Sequence, residues 1–165
     1  MKDRHIGTLE VVLGRRRRLD TRLNATLAIQ RGEEADLKSA EQQRLALFEA
    51  GRERLDAQQA LLVEMRSGGA RLAPRAYDTH TRWRAELEQR SRALDGEWRS
   101  ARAALDNKSR EVALTAREIR TNQTRIEQYE ARVVALRRAA DQLEQERQDE
   151  EAEESRRVGR GRVPR

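Results

Sequence analysis

Four consecutive cations, Arg15-Arg16-Arg17-Arg18, are the densest chemical feature of the sequence. On a helix they fill more than one turn and repel one another unless acids lie near. They read as an electropositive collar for an acidic protein rim or a phosphate backbone, or else as a solvated arginine face. A second feature is acidic. Residues 144–157 run Glu-Gln-Glu-Arg-Gln-Asp-Glu-Glu-Ala-Glu-Glu-Ser-Arg-Arg, with acids ahead of arginines, the order that i,i+4 pairing and the C-terminal helix dipole favour. Beyond Val158, Arg160, Arg162 and Arg165 offer only weak, nonspecific attraction to nucleic acid, because no aromatics are interleaved to stack on bases. Aromatics make up 3% of the chain. Phe48, Tyr77 and Trp83 read as anchors for a protein partner or as wide side chains covering a seam edge, and Trp98 reads as core.

Catalysis finds no support in these residues. There is no glycine-rich phosphate loop, no Ser-His-Asp set and no His/Glu metal spacing, His5 and His80 being far apart. Cysteine is absent, which removes disulfides and thiolate chemistry together. A non-enzymatic protein without metal or cofactor is expected. The 165 residues are 39% charged, with 9 glycines and 2 prolines, a composition of long helices rather than of a globular or β-rich core. The formal charge is +6, and all but Lys2, Lys38 and Lys108 of the 35 basic residues are arginine. No apolar run approaches the ~20 residues a membrane span needs. No apolar stretch of the signal-peptide kind follows Met1, so a cytoplasmic protein is expected.

The elements that must position these groups follow from one break, Ser67-Gly-Gly-Ala-Arg-Leu-Ala-Pro74, where paired glycines and a proline interrupt helical sequence. The spacing predicts a helix over about 3–66, a turn over 67–74, a second helix over 75–155 and a flexible basic tail over 156–165. In the second helix, seven-residue steps give Leu105, Val112, Ile119, Ile126, Val133 and Ala140, with Trp98 and Tyr77 upstream in phase beyond Arg84 and Ser91. A companion row holds Leu87, Leu94, Ala101, Lys108, Thr115, Asn122, Tyr129, Leu136 and Leu143. These are the two apolar rows of a left-handed coiled coil. The first helix shows a weaker stripe: Leu9, Val12, Leu19, Leu23, Leu37, Ala40, Leu47, Leu61 and Met65. Ile6, Leu13, Leu27, Phe48, Leu55 and Leu62 flank it, and Arg16, Gln30, Glu33 and Arg44 interrupt it.

The predicted fold is all-α, an antiparallel coiled-coil hairpin of two very long helices. With the turn at residues 70–71, facing residue numbers add to about 141. Lys108 then falls opposite Glu33 and Glu34, Thr115 opposite Thr26, and Asn122 near Leu19. A polar layer of Glu33, Glu34, Lys108 and Asn122 would cost stability but set register, unless Lys108 merely extends to the seam edge. The second helix would overhang the first by about 15 residues, giving a rod with a single-helix spike.

This pattern resembles the FliJ/YscO family, central stalk proteins of flagellar and virulence type III secretion systems, and most of all its plant-pathogen Hrp or other proteobacterial virulence branches. The likeness lies in Leu9-Glu-Val-Val-Leu13 with the arginine run and in Glu33-Glu-Ala-Asp-Leu37. It continues in the Ser67-Gly-Gly…Pro74-Arg-Ala-Tyr77 turn and in Val133-Val-Ala-Leu-Arg-Arg-Ala-Ala-Asp-Gln-Leu143. The resemblance implies a cytoplasmic component peripheral to the inner-membrane apparatus. Its terminal end (Arg15, Arg16, Arg17, Arg18, Leu136, Leu143) would enter a hexameric export ATPase. Its turn end (Phe48, Tyr77, Trp83) would meet the export-gate ring, and escort chaperones would be further partners. The competing expectation is a general coiled-coil scaffold, self-associating or bound to nucleic acid through its basic segments.

Overall fold

Long stretches free of proline, rich in Ala, Leu, Glu, Gln and Arg, favour continuous helix, and two helices form. The computed structural model describes the backbone of residues 2–67 and 74–160 and the side chains of residues 4–67 and 75–154. Helix α1 spans Lys2–Ser67 and α2 spans Pro74–Arg160. The turn expected at 67–74 falls, between its two ends, outside the described residues, as do residues 161–165 of the tail. Helix α2 continues five residues beyond the end expected at 155. The expected end lies just ahead of the breaker stretch Val158-Gly159-Arg160-Gly161, but a single glycine is tolerated in a helix, and α2 continues through Gly159.

Hydroxyl side chains do not disturb the helices, because they bond back along them. Thr8 donates to the Arg4 carbonyl at 2.8 Å, Thr79 to that of Arg75 at 2.9 Å and Thr121 to that of Arg117 at 3.0 Å. Glu88–Arg92 at 2.5 Å and Asp95–Arg99 at 2.9 Å add exposed i,i+4 pairs with the acid N-terminal, the favoured order. None of the helices is long and apolar enough to cross a membrane among the described residues.

The two helices pack antiparallel, and their contacts fall into two units, residues 1–26 with 115–165 (unit 1) and residues 27–114 (unit 2). Cross-helix partners have numbers that add to about 142, such as Asp20 with Asn122 in unit 1 and Arg44 with Glu97 in unit 2. On α2 the covered residues follow the two expected seven-residue rows. Ile119 and Val133 (both 6% exposed) lie at the centre of unit 1, and Leu87 (8%) lies in unit 2. From residue 141 to 154 every α2 residue is exposed.

On α1 only part of the expected stripe lies in the seam: Leu9, Leu23, Leu37 and Met65 are partly covered, but the second seam row is not the expected row of Val12, Leu19, Ala40, Leu47 and Leu61. Leu13, Leu27 and Leu62 are buried, whereas Leu19, Leu47 and Leu61 are 38%, 51% and 37% exposed and Ala40 is exposed too. The true row is Ile6, Leu13, Asp20, Leu27, Glu34, Glu41, Phe48, Leu55 and Leu62, with three acids in its middle. Counting apolar residues therefore favoured the adjacent row, Val12, Leu19, Ala40, Leu47 and Leu61. The acids are tolerated because α2 supplies a donor to each. Asn122 Nδ2 reaches Asp20 at 3.4 Å, Ser109 Oγ reaches Glu34 at 2.5 Å, and Trp98 Nε1 reaches Glu41 at 2.8 Å.

Gly51 sits in this seam, where a Cβ would lie 2.9 Å from Leu94 Cδ1, while Gly32 and Gly96 face open space. Gly32→Ala and Gly96→Ala should each raise stability by about 0.5–1 kcal/mol in urea unfolding. Gly51→Ala should lose most or all of that gain to the displaced Leu94. Equal stabilisation at all three positions would show that the helices do not approach closely at Gly51.

Candidate interaction surfaces

In unit 1 the four consecutive arginines do not act as one group, because successive helical residues point about 100° apart. Arg16 lies at the seam and donates to Asn122 Oδ1 at 3.5 Å. Arg17 reaches across one edge to Glu130 at 2.7 Å. Arg15 and Arg18 are exposed and make no ion pair among the described residues. Compensation within the hairpin thus comes from Glu130 and Asn122, neither of which the register of 141 had placed opposite the run.

Asn122 is the most buried polar side chain of unit 1, 3% exposed. Its Nδ2 donates to the Arg16 carbonyl at 3.1 Å and to Asp20 Oδ1 at 3.4 Å, and its Oδ1 accepts from Arg16. A small amide so bonded costs little in the seam. Leu136 is half-buried, whereas Leu143 is 43% exposed.

The two edges of unit 1 differ in charge. One is ion-paired, with Glu10–Arg137 beside Arg17–Glu130, and a shallow groove lies between them over Leu13 and Val133. The opposite edge has a groove lined by His5, Thr8, Leu9, Arg132 and Leu136 and no acid. Seven-residue steps from these residues bring Val12 and Leu19, Arg15 and Arg22, and Arg125 onto the same edge. Arg15, Arg22, Arg125 and Arg132 are all exposed, and none has an ion-pair partner among the described residues. Sequence reading missed Arg22, Arg125 and Arg132 because they are scattered along the chain and only the seven-residue phase of the true seam collects them.

In unit 2, Phe48 occupies the seam row rather than its edge and stacks on Trp98, with centroids 5.7 Å apart and planes 5° apart. Arg52 and Arg102 lie over these rings at 5.9 Å and 5.7 Å. The Tyr77 hydroxyl accepts from Arg66 Nε at 2.7 Å, so this ring also has an internal partner. Trp83 is 48% exposed. A polar layer close by joins Gln58 Nε2 to His80 Nδ1 at 2.9 Å and to the His80 carbonyl at 3.2 Å.

Lys108 Nζ lies 2.9 Å from Glu33 Oε2 and 2.7 Å from Glu111 Oε2, and its side chain is only 22% exposed. Glu34 bonds instead to Ser109. The hydrogen bond to Glu111, and then that to Glu33, raise the Lys108 pKa above its ordinary 10.5 against a smaller opposing effect of burial. No group of His, Asp or Glu among the described residues is arranged to hold a metal ion.

Residues 4–160 match the model of the family described as Bacterial type III secretion protein (HrpB7). No curated protein and no solved structure matches the chain.

Because the folded-state pKa of Lys108 is raised, its contribution to stability is full below 10.5 and disappears as pH climbs through the raised value. Lys108→Met should therefore differ from the native protein in melting temperature by a constant amount at neutral and mildly alkaline pH. The contribution of the ion pair to that difference should fade only above about pH 10.5. A difference independent of pH would mean that the ion pair contributes nothing.

Proposed function

The chain belongs to the HrpB7 family of bacterial type III secretion proteins, and on that premise we propose that it is the non-enzymatic stalk of the secretion apparatus. In this reading it works in the cytoplasm, against the inner-membrane machinery. The end bearing both termini enters the hexameric export ATPase, and the end near the turn meets the export-gate ring. Escort chaperones are further partners. The family match over residues 4–160 carries the proposal.

Physical features support it. The grooves along the described part of the helix pair are shallow, and the pair presents different side chains on its two edges. Such an asymmetric element, on the axis of a symmetric ring, makes unlike contacts with each subunit. Of the ATPase-end candidates, Arg15, Arg18 and Leu143 are exposed and available, while Arg16 and Arg17 are engaged inside the hairpin and Leu136 is half-covered. Of the gate-end candidates, Trp83 is the exposed aromatic, and Phe48 and Tyr77 serve the fold.

The test is ATP hydrolysis by the cognate secretion ATPase with the purified chain added at less than one copy per hexamer. Stimulation is expected at that ratio. Leu143→Glu should reduce it several-fold while leaving the melting temperature unchanged, because this side chain is 43% exposed. Absence of stimulation, or stimulation only at large excess, would overturn the stalk reading. Trp83→Ala should weaken binding to the purified gate ring and leave ATPase stimulation intact.

A further inference from the structure

We propose that the unpaired arginine edge of unit 1 is a docking surface for an acidic amphipathic helix of a partner protein. Arg15 and Arg22 form one column on α1, and Arg125 and Arg132 form another on α2, with Val12 and Leu19 between them. All four arginines are exposed and none is neutralised within the hairpin among the described residues. On the opposite edge, by contrast, Glu10 and Glu130 pair with Arg137 and Arg17. The charge is therefore segregated by side over the stretch from Arg125 to Arg132, up to Glu118, the next residue of that column. Four cations held together without counter-charges raise the local potential and attract an anionic partner.

The spacing and the apolar residues define that partner. Residues seven apart on a helix are separated by about 10 Å along its axis. A third helix lying along this edge with acids at seven-residue intervals on both flanks would place one carboxylate near each arginine. Arginine and carboxylate match in the planar, two-pronged geometry that makes such pairs directional. Leu19, 38% exposed, and the half-buried Val12 lie between the columns, where the partner's apolar stripe would cover them. A phosphate backbone would leave these two side chains uncovered and would find no aromatic on this edge to stack on. A second copy of this chain fits less well, because its acidic stretch, residues 144–154, has alanine as its sole apolar residue. The proposal stands apart from the stalk reading, since any component of the apparatus could supply the helix.

The experiment uses the full chain and a fluorescein-labelled synthetic helix of about three heptads, with a leucine stripe flanked by two columns of glutamate, read by anisotropy. Replacing Arg15, Arg22, Arg125 and Arg132 together by Gln should weaken binding by about tenfold or more, and raised salt should do the same. Replacing Arg18, Arg117, Arg120 and Arg138 by Gln removes the same charge from exposed positions elsewhere on unit 1 and should change affinity by less than about twofold. Circular dichroism verifies that both variants stay helical, and an Arg-to-Lys version of the first set should recover part of the affinity. Equal loss in the two sets, or equal binding of a scrambled peptide of the same composition, would reduce the effect to net charge and overturn the proposal. Tighter binding of a short DNA duplex through the same four arginines would overturn it in favour of nucleic acid. Self-association abolished by the first set would overturn it in favour of a second copy.

Discussion

The alignment of α1 against α2 depends on a polar constraint. A two-helix pair has no third element to seal its interior, so apolar burial is partial everywhere and no described side chain is fully enclosed. Hydrophobic contacts at seven-residue spacing look alike after a shift of one heptad. The buried and half-buried polar groups do not. Asp20 finds the amide of Asn122, Glu34 the hydroxyl of Ser109, and Glu41 the indole N–H of Trp98. Displacing α2 by seven residues in one direction would put Leu105 opposite Glu41 and Ala116 opposite Glu34, neither of which has a side-chain donor. Each covered polar group left without a partner costs about 1–3 kcal/mol, which exceeds what a slipped leucine layer loses.

The same constraint explains what could be read from the sequence. Helix α2 is legible because its rows carry Leu105, Val112, Ile119, Ile126 and Val133, apolar residues that recur at the required interval without competition. Helix α1 is legible only in part, in Leu9, Leu23, Leu37 and Met65, because Asp20, Glu34 and Glu41 interrupt the other row that faces α2, whereas Leu19, Leu47 and Leu61 form a more apolar row that is exposed. Apolar periodicity measures the intrinsic preference of one helix and contains nothing about donors on another. Lys108 and Glu33 meet, and here the signal was visible, since a lone lysine in an apolar row and an acid at the complementary number are rare enough to be matched. Phe48 was displaced from edge to seam by the same one-residue error of phase that misplaced Leu13 and Leu62.

That error also hid the surfaces. Once the seam is assigned to the correct row, the arginines of the run diverge, one into the seam, one to each edge and one to the back. A local cluster in sequence is thus dispersed, and residues far apart, Arg22 and Arg132 among them, are gathered. In a coiled coil the seven-residue phase, rather than adjacency, decides which groups act together. A run of like charge in such a chain is a weak guide to a binding site, and the net charge of each edge is a better one.

The mixture of polar seam and helical glycines bears on how unit 2 can work. Gly32 and Gly51 lie in α1 with Gln30, Glu34 and Glu41 between or beside them, so helix propensity is lowered over that stretch. In α2 the opposite stretch is held by Lys108 with Glu33 and Glu111, and by the Phe48–Trp98 stack. Specific bonds between otherwise loosely packed helices give a segment that keeps its alignment while allowing local bending, because hydrogen bonds fix which residues face each other more than they resist curvature. A mostly leucine seam would be stiffer and more stable, but it would be free to slip. On the stalk reading proposed above, fixed register is worth more than the stability given up for it.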